Sequence, residues 1–85
     1  MALRFIGIDP ATDGDECPTV WVDDSTADLV VQGWKADERT EAECRETGKL
    51  PDTEAVVRIP ARMVPIVRKA CDAAERAAEL RRAAG

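Results

Sequence analysis

Residues 17–34, Cys17-Pro18-Thr19-Val20-Trp21-Val22-Asp23-Asp24-Ser25-Thr26-Ala27-Asp28-Leu29-Val30-Val31-Gln32-Gly33-Trp34, decide the fold. Two runs rich in β-branched residues flank a short polar turn, the pattern of an antiparallel hairpin. Alternation along 17–22 sets Cys17, Thr19 and Trp21 on one face and Val20 and Val22 on the other. Along 29–34 it sets Leu29 and Val31 opposite to Val30, Gln32 and Trp34. Residues 23–28 form the turn. Gly33 inside a strand signals a bulge or a close backbone approach. On this reading Trp21 and Trp34 lie on adjacent strands, within reach of a cross-strand stack.

Before the hairpin, Leu3-Arg4-Phe5-Ile6-Gly7-Ile8 reads as a first strand. Asp9-Pro10 ends it, because proline cannot donate to a ladder and restricts the residue before it. Residues 11–16 form a loop with a turn at Gly14. After the hairpin, 36–47 is dense in charge and predicts a short helix near 38–47. Asp37 or Thr40 is its cap, with a capping box between Thr40 and Glu43. Glu41 and Arg45 stand four apart on its surface, and Gly48 fits just past its end. Residues 54–59 read as a fourth strand, closed by Pro60.

A long helix then runs to about Ala83, with Pro65 in its first turn, where the missing N–H costs nothing. Met63, Val67, Ala70, Ala74 and Ala77, and equally Ile66, Ala70, Ala73, Ala77 and Leu80, repeat at spacings of three and four. The first half of this helix docks on the sheet. Residues 73–84 either project as a solvated helix or offer a small-residue face to another helix. The expected fold is one α+β domain over 1–85. A small antiparallel sheet of about four strands, with the 17–34 hairpin at its centre, is covered on one face by the C-terminal helix.

The chain has 85 residues, one Phe and two Trp, which bounds it to a single domain with a thin core. Its formal charge of -5 is unevenly spread. Residues 1–55 carry 14 acids against 5 bases, and residues 56–85 carry 7 bases against 3 acids. An acidic body argues against direct binding of nucleic acid, which needs clustered Lys and Arg. It suits a basic protein partner or mimicry of nucleic acid, and it also keeps a small protein soluble. Three widely spaced cysteines and no histidine argue against a disulfide framework and against a zinc site. Reduced thiols, the lack of a charged-then-apolar leader and the lack of a membrane-length apolar run lead to the expectation of a cytoplasmic protein.

Catalytic patterns are sparse. Asp13-Gly14-Asp15-Glu16 resembles a fragment of a calcium loop, without the remaining ligand positions. Ser25 is the one serine and lies in a turn, with no histidine to act as its base. Arg58, Arg62, Arg68 and Lys69 form a basic cluster. It either grips a phosphate or acidic partner or neutralises acids of the same molecule. The expectation is a non-enzymatic protein with no cofactor and no metal. Its contact surface is expected to include Trp21, Trp34, Asp23, Asp24, Arg58 and Arg62.

Two resemblances bear on function. Phe5-Ile6-Gly7-Ile8-Asp9-Pro10 resembles the first strand of the ribonuclease-H-like superfamily, including junction resolvases of the RuvC type. That resemblance implies a magnesium-binding role for Asp9 and makes a metal-dependent nuclease one alternative. Two-metal chemistry needs further converging carboxylates. The later acids Glu41, Glu43 and Glu46 fall on an exposed helix pattern.

The wider pattern is similar to a group of short acidic actinobacterial proteins, and more distantly to the BldB-like family. It rests on 5–10, on 17–22, on Leu29-Val30-Val31-Gln32-Gly33-Trp34-Lys35 and on Val56-Val57-Arg58-Ile59-Pro60 with Pro65. The BldB-like resemblance implies a regulatory role through contact with a helix-turn-helix DNA-binding protein of the Xre type, and brings no catalytic residue. A second alternative is a self-assembling protein, a homodimer joined through 73–84.

Overall fold

A computed structural model describes residues 2–11 and 16–84. The turn at Gly14 and the calcium-loop fragment 13–15 lie outside the described residues. The chain forms strands β1 (Leu3–Ile8), β2 (Thr19–Asp23), β3 (Asp28–Gln32) and β4 (Trp34–Lys35), then helix α1 (Glu38–Arg45) and strand β5 (Val57–Arg58). A single 3₁₀ turn (Ala61–Met63) leads directly into helix α2 (Val64–Ala84). The fold is α+β, as the patterning predicts.

The hairpin is central. β2 pairs antiparallel with β1 on one side and β3 on the other, giving the order β1-β2-β3. Its turn is tighter than 23–28, because Asp23 and Asp28 are themselves a cross-strand pair. The Asp23 carboxylate accepts from the Ser25 N–H (2.9 Å) and the Ser25 hydroxyl (2.6 Å). Its carbonyl accepts from the Ala27 N–H at 2.7 Å. Ala27 closes the loop in the left-handed region, at φ 66°.

Two expectations need correction. β3 ends at Gln32, and residues 54–59 do not add a fourth strand to the main sheet. Only Val57–Arg58 is extended in a ladder, and it pairs with Trp34–Lys35 to make a separate two-stranded sheet. Gly33 is the reason. A Cβ there would stand 2.8 Å from the Arg58 carbonyl oxygen and 2.9 Å from Ile59 Cγ2, so the two backbones approach only because the side chain is missing. The chain turns out of the first sheet at this point. Trp34 therefore does not stack on Trp21, whose cross-strand neighbours are Phe5 and Val30.

Helix α1 is capped by Asp37, whose carboxylate accepts from the Thr40 N–H at 2.8 Å. Thr40 lies inside the helix and is not a cap, so no capping box runs from it to Glu43. No residue of α1 is buried, as its low apolar content predicts.

The core lies between α2 and one face of the main sheet. Val20, Val22, Met63 and Ala70 are fully buried, with Ile6, Ile59, Ile66, Val67, Ala73 and Ala74 packed around them. Burying a Val or Met side chain contributes about 1.5–3 kcal/mol. A β-bulge between Phe5 and Gly7 lets Ile6 and Gly7 both turn toward the helix. A Cβ on Gly7 would stand 2.8 Å from Ile66 Cγ2, so this glycine sets how closely α2 approaches β1. The helix stays docked as far as Ala77, which is 5 % exposed, so the projecting part is shorter than 73–84. Beyond it Leu80 is 65 % exposed.

Candidate protein-binding face

Because α2 covers one face of the main sheet, the other face is set by the opposite parity of the same strands. Residues that pair across an antiparallel sheet share a face. The register therefore builds three rows on the face away from α2: Leu3–Asp23–Asp28, Phe5–Trp21–Val30 and Ile8–Thr19–Gln32. The middle row is wholly apolar. Phe5 is 59 % exposed, Leu3 40 % and Ile8 39 %, while Trp21 and Val30 are half-buried. One apolar row, aromatic on β1 and β2, thus crosses all three strands and meets solvent.

Acids crowd one end of this row. Asp23 and Asp28 flank Leu3 on the turn side. The two Ser25 hydrogen bonds hold the Asp23 carboxyl below its ordinary range, so it is charged at neutral pH. Asp24, next in the chain, binds the Arg4 guanidinium at 2.8 Å. At the opposite end the row gives way to neutral polar groups. The Thr19 hydroxyl and the Gln32 amide both donate to the Cys17 carbonyl, each at 2.7 Å.

The other sequence-derived site residues fall elsewhere. Trp34 belongs to the β4–β5 sheet and is half-buried, and its indole nitrogen is enclosed with no hydrogen-bond partner among the described residues. Arg58 donates to the Thr40 hydroxyl at 2.9 Å, tying β5 to α1. Arg62 donates through Nε to Asp9 Oδ1 and through Nη2 to Asp9 Oδ2, both at 2.6 Å. Trp21 and Asp23 share the open face, and Asp24 lies at its turn end. Trp34, Arg58 and Arg62 are not part of it. Phe5, Leu3, Val30 and Asp28 belong to it and were not singled out from sequence. The signal for Phe5 was available in its odd parity with Leu3, but the bulge at Ile6 hides how that parity continues.

Asp9 is 2 % exposed and also accepts from the Ala11 N–H at 3.0 Å, the local turn expected of Asp-Pro. Its carboxyl is held below the ordinary range, chiefly by the hydrogen bonds from Arg62, against the opposing effect of burial. Both carboxylate oxygens are thus engaged by an arginine fork. No cluster of three acidic, histidine or cysteine side chains suited to a metal ion occurs among the described residues. The arrangement does not fit the paired-metal site that the ribonuclease-H-like strand implies. Cys44 and Cys71 are free thiols, Cys44 exposed and Cys71 half-buried. No described helix is long and apolar enough to cross a membrane.

No protein-family model, curated protein or solved structure matches this chain.

Proposed function

We propose that the protein is a non-enzymatic adaptor that binds a basic protein surface through the open face of its main sheet. The observation that carries this reading is the Phe5–Trp21–Val30 row, apolar and uncovered, with Asp23 and Asp28 at its edge. Exposed aromatic side chains on a rigid sheet are the residues that concentrate binding energy at protein interfaces. Charged acids at the rim steer a basic partner and select against acidic ones.

A DNA-binding regulator of the helix-turn-helix type satisfies both requirements. Its Lys and Arg groups already face phosphates, and the acids of this chain compete for them. The BldB-like resemblance points to the same partner, and the protein would act in the cytoplasm where such regulators work. In this reading binding lowers the regulator's affinity for DNA and no bond is made or broken.

The test is competition. The Xre-type regulator retained from native lysate is purified and bound to labelled DNA, and this protein is titrated in. Release of the DNA, weakened in the Phe5→Ala variant, is the expected result. DNA binding that does not respond to the protein contradicts the reading.

A further inference from the structure

We propose that the cleft between the end of α2 and the turn end of the main sheet binds a free amphiphilic monoanion, a carboxylate carried on an unbranched apolar chain. The site lies on the α2 side of the sheet, away from the Phe5–Trp21–Val30 row, and does not rest on the adaptor reading.

The cleft follows from a mismatch of lengths. The six residues of β1 span roughly 20 Å and the 21 residues of α2 roughly 31 Å, so the helix runs past the sheet. Ala77 is the last buried residue of the helix, and Leu80, one turn on, is 65 % exposed. Arg4 stands between Leu3 and Phe5 on β1 and pairs with the buried Val22, so it belongs to the face that α2 covers. Arg4, Asp24, Ala77, Leu80, Arg81 and Ala84 together line a cleft of about 470 Å³. That volume falls within the range of small-molecule sites, about 300–1,000 Å³. The helical residues stand three, four and seven positions from Ala77, which places them on one side of α2.

The lining selects the ligand. Ala77, Leu80 and Ala84 make an apolar wall, and Leu80 is the most exposed of the large apolar side chains among the described residues. Two guanidinium groups face one carboxylate. Arg4 is matched by Asp24 at 2.8 Å. Arg81 makes no hydrogen bond or ion pair among the described residues. The cleft thus carries one unmatched positive charge in a chain whose formal charge is -5. A carboxylate meets the Arg81 fork with two parallel acceptors while its chain lies along Leu80. A cation would meet like charge at Arg81, and a dianion would bring its second charge toward Asp24. A neutral chain would leave Arg81 unmatched.

The test uses decanoate as the probe, with decanol and decylamine as neutral and cationic controls, followed by amide chemical shifts and calorimetry. The expected result is saturable shifts at Ala77, Leu80, Arg81 and Ala84, with Phe5, Trp21 and Val30 unmoved. Decanol and decylamine should bind at least about tenfold more weakly, as should decanoate to Arg81→Gln, the loss expected for one charge-assisted contact. Leu80→Gln should weaken decanoate by a similar factor. Both substitutions lie at exposed positions, and the two controls keep the test decisive on wild type should either variant fail to fold. No binding of decanoate, equal binding of the three probes, or shifts centred on Trp21 overturns the proposal. A dimer in solution that Leu80→Gln dissolves would also overturn it, by giving the cleft to a second copy. Regulator binding through Trp21 is unaffected by Arg81→Gln, so failure of one proposal is separable from failure of the other.

Discussion

Arg62 grips Asp9 as a planar fork across 53 positions of sequence, with two hydrogen bonds of 2.6 Å. Asp9 follows the last residue of β1, and Arg62 sits in the turn that launches α2. The pair therefore fixes where the long helix begins relative to the sheet it covers. Bidentate Arg–carboxylate pairs add geometric specificity to charge attraction, which a lysine at the same position would not supply. With α2 held on one face, the Phe5–Trp21–Val30 row of the other face is left uncovered by the helix.

The pH dependence of stability follows from this pair. Asp9, Asp23 and Asp37 are all held below the ordinary aspartate range, by Arg62, Ser25 and Thr40 respectively as the largest cause. A depressed folded-state pKa contributes stability that is fully present above the unfolded value of about 3.9 and is lost as pH falls through the folded value. Urea unfolding of wild type and Arg62→Gln across the acid range should show a wild-type advantage that shrinks on acidification. An advantage that grows toward low pH would remove the pair from the account.

Gly7→Val should destabilise the fold by about 1–3 kcal/mol, because the added side chain enters space occupied by Ile66. Gly33→Ala should cost a comparable amount for a stiffer reason, since it meets the backbone carbonyl of Arg58. Denaturant midpoints measure both. Compensation by Ile66→Ala is expected for Gly7→Val and not for Gly33→Ala.

Ala27→Gly should stabilise the hairpin by about 1 kcal/mol, because a left-handed backbone is costly for alanine and free for glycine. Part of that gain is offset by the greater freedom of glycine in the unfolded chain. A lower midpoint in the glycine variant would show that the alanine side chain makes a contact that outweighs its strained backbone.

Met63→Ala should cost about 2–5 kcal/mol, since Met63 is fully buried in the core just before the helix. Thermal unfolding of the variant gives the value, and a loss below 1 kcal/mol, at the scale of about one methylene, would place Met63 outside the core.

Much of the fold was legible from local pattern. The limits of β1, the facing of Val20 and Val22, the place of Pro65 in the first turn of α2 and the helix's stripe through Ala77 all follow from periodicity and proline chemistry. What failed was long-range. Residues 54–59 read as a full strand because their propensity is high, yet only Val57 and Arg58 find a partner strand. Gly33 signalled a close approach, but the alternation through it could not say that the chain would leave the sheet there. The Asp9–Arg62 fork joins residues with no common motif, so each carried a separate expectation, a metal ligand and a basic patch. The open face was half visible, through Trp21 and Asp23. Phe5 and Val30 join it only once the register is known.

Rim charges should govern the rate of partner capture more than its persistence. Asp28→Asn should slow association with a basic regulator and flatten its salt dependence, with dissociation little changed. Stopped-flow measurements at two ionic strengths separate these, and an effect confined to dissociation would move Asp28 into the buried part of the contact.

The most direct test of the central claim is the affinity of wild type, Trp21→Ala and Phe5→Ala for the purified helix-turn-helix regulator, measured by calorimetry alongside a circular-dichroism check of folding. If the aromatic row is the binding face, truncating Trp21 weakens the complex by at least about 2 kcal/mol, and truncating the exposed Phe5 weakens it without altering the fold. If both folded variants bind as wild type does, the open face is not where the partner docks.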